Sequence, residues 1–262
     1  MDDFPTAEGL GVALADGVLR LTLDRPDTLN ALTPDMADAL AATLELAQGR
    51  DDVRVVLLAG TGGAFCSGAD LSGAEAHRSF DVSALDRANR MVRAVVALDQ
   101  PVVASVAGVA AGVGCSLALA ADLAVVAESA SFVLAFARIG LMPDGGATAT
   151  VGAAVGRARA MRMALLGEAM PARTSYDVGL VSHLVSDEEH AAAVERLVTR
   201  LASGPPLAHA ATKRAVNAAT LDQLEPALQR ERSGQTLLLR TADVAEGMTA
   251  FVQKRRPRFT GS

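Results

Sequence analysis

The chain is poor in the residues on which several functional architectures depend. Its 262 residues include two cysteines, Cys66 and Cys115, too few for a disulfide framework, so a reducing compartment is the simpler assumption. It has no tryptophan and only 3% aromatic residues, yet half of it is hydrophobic. A sizeable core must therefore be packed from Ala, Val and Leu. Positive charge is also short: the formal net charge is −6, which argues against nucleic acid, a partner that needs a basic face. The four histidines, His77, His183, His190 and His209, are scattered and fit no metal-ligand spacing, so they read as surface or structural residues and no metal is expected. The first residues, MDDFPTAEG, lack an apolar signal core. The most apolar stretch, 102–127, is broken by glycines and Asp122, which suits buried sheet and helix better than a membrane span. A cytoplasmic protein is expected.

What the chain does have is glycine at particular places. In PVVASVAGVAAGVGCSLALAAD, 101–122, a β-rich run breaks on Gly108, passes Gly112 and Gly114, and continues as a small-residue helix. A strand feeding a glycine-rich turn into a helix leaves free N–H groups at the helix N-terminus, where developing negative charge is favoured. No Gly-Lys-Ser/Thr follows, so no P-loop is formed, and the spacing does not fit the dinucleotide fingerprint. The other reading is close helix–sheet packing. A second strand, 53–59, enters a similar loop, GTGGAFCSGADL at 60–71. Two such loops in one domain can aim two N–H groups at one oxygen.

Around them the chain reads as a β/α core. Strands at 12–14 and 18–23 flank Asp16-Gly17, a hairpin signal. Thr33-Pro34 supplies an N-cap and a proline at the first helical position, opening a helix to about Gln48 with Met36, Leu40, Leu44 and Ala47 on one face. The polar stretch from His77 to Ser83 reads as a mobile connection. After Asp187 every segment reads as helix, punctuated by Pro205-Pro206 and Pro226. The expected layout is α/β, with a core over 1–186 and a helical region over 187–262.

The ordered set of segments RPDTLNAL (25–32), AFCSGADL (64–71), GVAAGVGCSLALAAD (108–122), IGLMPDGGAT (139–148) and AFVQKRRPRFTG (250–261) resembles the signature of the crotonase superfamily, the enoyl-CoA hydratase/isomerase family. Each motif alone is weak, but the set in this order spans nearly the whole chain. The resemblance implies a crotonase-like spiral of ββα turns carrying an acyl-CoA site, with a C-terminal helical trimerisation region. It implies a homotrimer or a dimer of trimers, and no cofactor beyond the coenzyme A of the thioester substrate. The apolar positions Leu224, Leu228, Leu237–Leu239, Met248 and Phe251 support assembly, since they exceed what a thin helical region buries on its own domain.

By the same resemblance, the N–H groups of Ala69 and Val113 would form an oxyanion hole for a thioester enolate, with Gly112 allowing close approach. Coenzyme A would lie along Asp27, Leu29, Ala31, Ser67, Asp70 and Leu71. Arg25 and the run Lys254-Arg255-Arg256 are candidates to offset its phosphates, and Phe251 and Lys254 are implied contacts from a neighbouring subunit. The alternative for the tail is a solvated basic helix end. Many family members carry lysine where this chain has Asp27. Hydratases of the family position a water with two glutamates, and those places are held here by Ser116 and Phe136. Neither is a base; Ser116 reads as a packing residue. One carboxylate remains, Asp144, where isomerase and dehalogenase branches carry an aspartate. Apolar neighbours would raise its pKa and make it a proton shuttle; alternatively it is a helix N-cap. Asp70 reads as a cap and loop organiser, and Cys66 is not expected to be a nucleophile. Three readings stand: a double-bond isomerase, a hydratase with atypical acid/base groups, and a non-catalytic acyl-CoA binder.

Overall fold

The computed structural model describes residues 4–71 and 81–262. His77 and the stretch read as mobile over 77–80 lie outside the described residues. The strand order of the main sheet is β1-β2-β3-β4-β6-β9, built from β1 (Leu10–Ala15), β2 (Val18–Leu23), β3 (Val55–Gly60), β4 (Val102–Val106), β6 (Leu123–Ala127) and β9 (His183–Val185). The first two strands form the antiparallel hairpin, with Asp16 and Gly17 both at positive φ, as a two-residue primed turn requires. From β2 onward all pairings are parallel. A second, small sheet has the order β5-β7-β8, from β5 (Val109–Ala111), β7 (Ser131–Val133) and β8 (Met170–Pro171).

In β2, β3, β4 and β6, period-two alternation gives two apolar faces, the pattern of a parallel sheet covered on both sides. Leu19, Leu21, Val56, Leu58, Ala104 and Val126 face one core, packed by helices α1 (Pro34–Ala47) and α2 (Val82–Ala97). Val18, Val55, Leu57, Val103 and Val125 face another, closed by Val194 and Val198 of helix α6 (Asp187–Ala202). Thr33 caps α1 by accepting from the Met36 N–H at 3.2 Å. The remaining helices are α3 (Val113–Ala120), α4 (Ala147–Leu166), α5 (Ala172–Asp177), α7 (Pro206–Thr220), α8 (Leu224–Leu238) and α9 (Ala242–Val252). Pro226 falls in the first turn of α8, where its missing N–H costs nothing. A lysine, Lys213, ties α7 to the core. Its buried Nζ donates to the carbonyls of Val95 (2.9 Å) and Gln100 (3.2 Å) and pairs with Asp122 at 2.8 Å.

The helical region buries more of itself than its sequence suggests. Leu224, Leu228 and Met248 all sit in the chain's own core, so the expectation that they form an assembly surface is corrected. Leu237 and Phe251 stay exposed, at 68% and 62%. Among the described residues, no helix is long and apolar enough to cross a membrane, and no three His, Cys, Asp or Glu come together to hold a metal ion.

Candidate active site

Strand β3 ends at Gly60, and the chain turns through Gly62 and Gly63 into 64–71. This segment is held on both sides. Ala111 N donates to Cys66 O at 2.8 Å, laying it along β5; opposite, Leu32 N donates to Gly68 O at 2.8 Å and Asp70 N to Leu32 O at 2.9 Å. The last two bonds straddle Ala69, whose own N–H takes no part in that ladder. On the facing loop, β5 turns at Gly112 into α3. Val113 is the first residue of that helix, so its N–H has no acceptor inside it. The two loops touch: a Cβ on Gly112 would lie 3.7 Å from Gly68 Cα, and one on Gly68 would lie 3.2 Å from Ala111 O. Two backbone donors, Ala69 and Val113, thus come from loops in van der Waals contact, the second at the positive end of a helix.

One turn into α3, about 4.5 Å along the axis, stands Ser116. Its hydroxyl donates to the backbone carbonyl of Asp144 at 2.7 Å, which ties the 141–146 loop to the second donor loop. Ser116 is therefore more than the packing residue its size suggests. Asp144 is 5% exposed. Its Oδ2 accepts from Gln235 Nε2 at 3.0 Å, and its buried Oδ1 has no partner among the described residues. Burial pushes the carboxyl up to about 7; the Gln235 N–H opposes this and the charge of Glu231 adds to it. Phe136, in the 3-10 turn Ala135–Ile139, is buried, as is Leu141.

The cap of α4 is taken by a different residue. The N-cap position is Gly146. Its N–H donates to Glu231 Oε2 at 2.7 Å, and the N–H of Thr148 donates to Glu231 Oε1 at 2.9 Å. The side chain of Asp144 caps nothing, which removes the N-cap alternative. Cys66 is buried, and burial pushes its thiol up to about 12. No thiolate forms there near neutral pH, as a nucleophile would require.

The strip implied for coenzyme A is brought together in part. Ser67 donates through its N–H to Leu29 O and through its hydroxyl to Thr28 O, both at 2.9 Å. With the Leu32–Ala69 bridge, this lays Asp27, Leu29 and Ala31 beside Ser67, Asp70 and Leu71. Arg25 turns inward: its guanidinium donates to Ala31 O at 2.7 Å and pairs with Asp70 at 2.8 Å. The expectation of Arg25 as a phosphate partner is corrected, because Asp70 already neutralises it, and Asp70 organises the loop. Phe251 and Lys254 are exposed on another element, at the end of α9, which packs on the 135–139 turn. In the tail Arg255 pairs with Glu246 at 2.6 Å, so the tail's basic run is partly spent on its own helix.

The profile of the enoyl-CoA hydratase/isomerase family matches residues 14–262. The chain belongs to this family. A 1,2-epoxyphenylacetyl-CoA isomerase of Escherichia coli is 39% identical over 94% of this chain and 95% of its own. A probable enoyl-CoA hydratase of Rhodobacter capsulatus is 41% identical over 95% and 96%. The crystal structure of an enoyl-CoA hydratase from Mycobacterium avium subsp. paratuberculosis superposes with a TM-score of 0.91 at 50% identity, covering 96% of this chain and 98% of that one. The sheets and helices described above are thus the crotonase fold, and the protein is an enzyme of the enoyl-CoA hydratase/isomerase family.

Three residues of this family member escaped the sequence reading. Glu231 and Gln235 lie on the stripe of α8 that also carries Leu224, Ala227 and Leu228, all buried. Two polar residues four apart on an otherwise apolar stripe were the available signal. Asn30, fully buried, donates to Thr61 O and Ala64 O and accepts from Arg25 N, each at 2.8 Å. It staples the two flanks of the first donor loop, and its type alone did not distinguish it from a turn asparagine.

Proposed function

We propose that this enzyme moves the double bond of an enoyl-CoA thioester, with Asp144 carrying the proton and the N–H groups of Ala69 and Val113 holding the enolate oxygen. Asp144 Oδ1 removes a proton from C2 of a 3-enoyl thioester. The electrons pass into the thioester carbonyl, giving a dienolate, and the same oxygen returns the proton at C4 to give the 2-enoyl product. Donors preorganised in a dry site are worth about 3 kcal/mol each to such an oxyanion. Coenzyme A runs along Asp27, Leu29, Ala31, Ser67 and Leu71, with Phe251 and Lys254 supplied by a neighbouring subunit. Phe136 helps exclude water.

One observation carries this reading: Asp144, a buried carboxylate with one oxygen unpartnered among the described residues, is tied through its backbone carbonyl to Ser116, one helical turn beyond the second donor. Hydration needs a carboxylate pair around a water. Ser116 and Phe136 hold the two glutamate positions, and the nearby buried Glu231 spends both oxygens capping α4. The relatives' names divide between isomerase and hydratase, and the residues at the two glutamate positions favour the isomerase reading.

The test is a direct comparison of 3-enoyl-CoA isomerisation with hydration of a 2-enoyl-CoA, in the wild type and in Asp144→Asn. Isomerisation is expected to be the faster wild-type reaction, and Asp144→Asn to lose at least about a hundredfold, the usual worth of a positioned base. Faster hydration, or full turnover in Asp144→Asn, defeats the proposal. Binding of both thioesters without turnover would mark a non-catalytic binder instead.

A further inference from the structure

Gln235 is fixed at both ends of its amide. Its Oε1 accepts the N–H of Met142 at 3.0 Å, and its Nε2 donates to Asp144 Oδ2 at 3.0 Å. A backbone N–H only donates, so the amide oxygen must face Met142 and the nitrogen must face Asp144. The amide cannot flip without losing both bonds. Asp144 is therefore asymmetric: Oδ2 holds an N–H, and Oδ1 holds none among the described residues. One turn earlier on the same helix, Glu231 is 1% exposed and accepts on both oxygens, the pattern of an ionised carboxylate.

Glu231 is the titratable side chain whose field reaches Asp144 among the described residues. From α3, Ser116 offers a hydroxyl to the Asp144 backbone, and from α2, Val92 packs on the adjacent glycines. Neither titrates.

We infer that Gln235 is the positioning residue of the proton shuttle: it occupies Oδ2 and reserves Oδ1 as the atom that exchanges protons with the substrate. The inference rests on the isomerase reading for its bearing on turnover, but not for its test. The N–H of Gln235 stabilises the charged carboxylate, and Glu231 opposes it by like charge. Removing the first must raise the titration midpoint of Asp144.

The experiment is carbon-13 NMR of protein labelled at the aspartate side-chain carboxyl, titrated without ligand, with Asp144→Asn identifying the resonance. Wild-type Asp144 is expected to titrate near neutral pH. Gln235→Met keeps the bulk and removes the donor, and the midpoint is expected to rise by about one unit. Gln235→Glu keeps an acceptor for Met142 and sets a second carboxyl against Asp144. The two acids then titrate as a pair, with one step well above the wild-type midpoint. In an active enzyme, the acid limb of the kcat/KM profile follows these midpoints upward, which loss of packing alone would not produce. A midpoint unmoved in both folded variants overturns the inference, even if the wild type is an efficient isomerase. Midpoints that move in a protein without isomerase activity uphold it and defeat the isomerase reading instead.

Discussion

A buried carboxylate is expensive where it is most useful. Asp144 titrates near 7 rather than at its ordinary 3.8, because burial disfavours its charge. Its folded-state pKa lies above the unfolded one, so the native state binds the extra proton. That contribution is fully present below about pH 4, declines as pH rises between about 4 and 7, and is gone above. The shift of about three units corresponds to at most about 4 kcal/mol. Asp144→Asn carries no charge to bury, and its side-chain oxygen still accepts from Gln235. It is therefore expected to be more stable than the wild type at pH 8, by about 2 kcal/mol or more, with the advantage closing as pH falls toward 4. Urea denaturation at pH 5 and pH 8 checks this, and equal stability of the two proteins at both would mean that the fold does not raise the Asp144 pKa. At this scale the sequence was partly legible. The residue type and apolar neighbours of Asp144 were visible, but what surrounds its carboxyl was not. The cap that competed for Asp144 belongs to Glu231, 87 positions later, and no local pattern reveals a contact between elements so far apart.

Glycine divides its duties between elements in a way that can be separated by mutation. Gly112 has φ 53° and ψ −132°, a region that costs other residues about 1–3 kcal/mol. An added Cβ there would still meet Gly68 Cα at an ordinary 3.7 Å. Gly114 has no such room: a Cβ would lie 2.6 Å from Cys66 Cβ and 2.7 Å from its carbonyl oxygen. Gly114→Ala should therefore destabilise the fold by about 2–3 kcal/mol, visible as a lowered Tm. Replacing Gly112 with a bulky residue should leave the chain folded and abolish acyl-CoA binding in calorimetry, because that side chain would fill the gap between the donor loops. Unchanged affinity in the Gly112 variant would remove Val113 from the oxyanion site. The hairpin at Asp16-Gly17, the capped α1 and strand β4 were all legible, since each is set by local turn, cap or periodicity signals. The three-residue β5 was not, because its pairing with β7 comes from elsewhere in the chain.

At the scale of the molecule, the order of the motifs carried the fold, and what it left open was how the helical region is divided between core and surface. Leu224, Leu228 and Met248 face inward, so three of the apolar positions that argue for assembly are satisfied within one chain. The case for assembly rests on those that are not. Leu237 on α8, with Phe251 and Val252 on α9, remains exposed, as do Met161, Leu165 and Leu166 at the end of α4. The site as proposed draws on a neighbour. The net charge is −6, Arg25 is spent on Asp70, and the phosphates of coenzyme A still require a cation, which Lys254 of another copy would supply beside Phe251. A homotrimer, or a dimer of trimers, is expected by sedimentation at micromolar concentration. Phe251→Asp, which puts a charge into the contact, should shift it toward monomer and weaken acyl-CoA binding together. Lys254→Ala should weaken binding, about tenfold for a loss of about 1.4 kcal/mol, without changing the assembly. A wild-type monomer that binds acyl-CoA with undiminished affinity would remove both the trimer and the shared site.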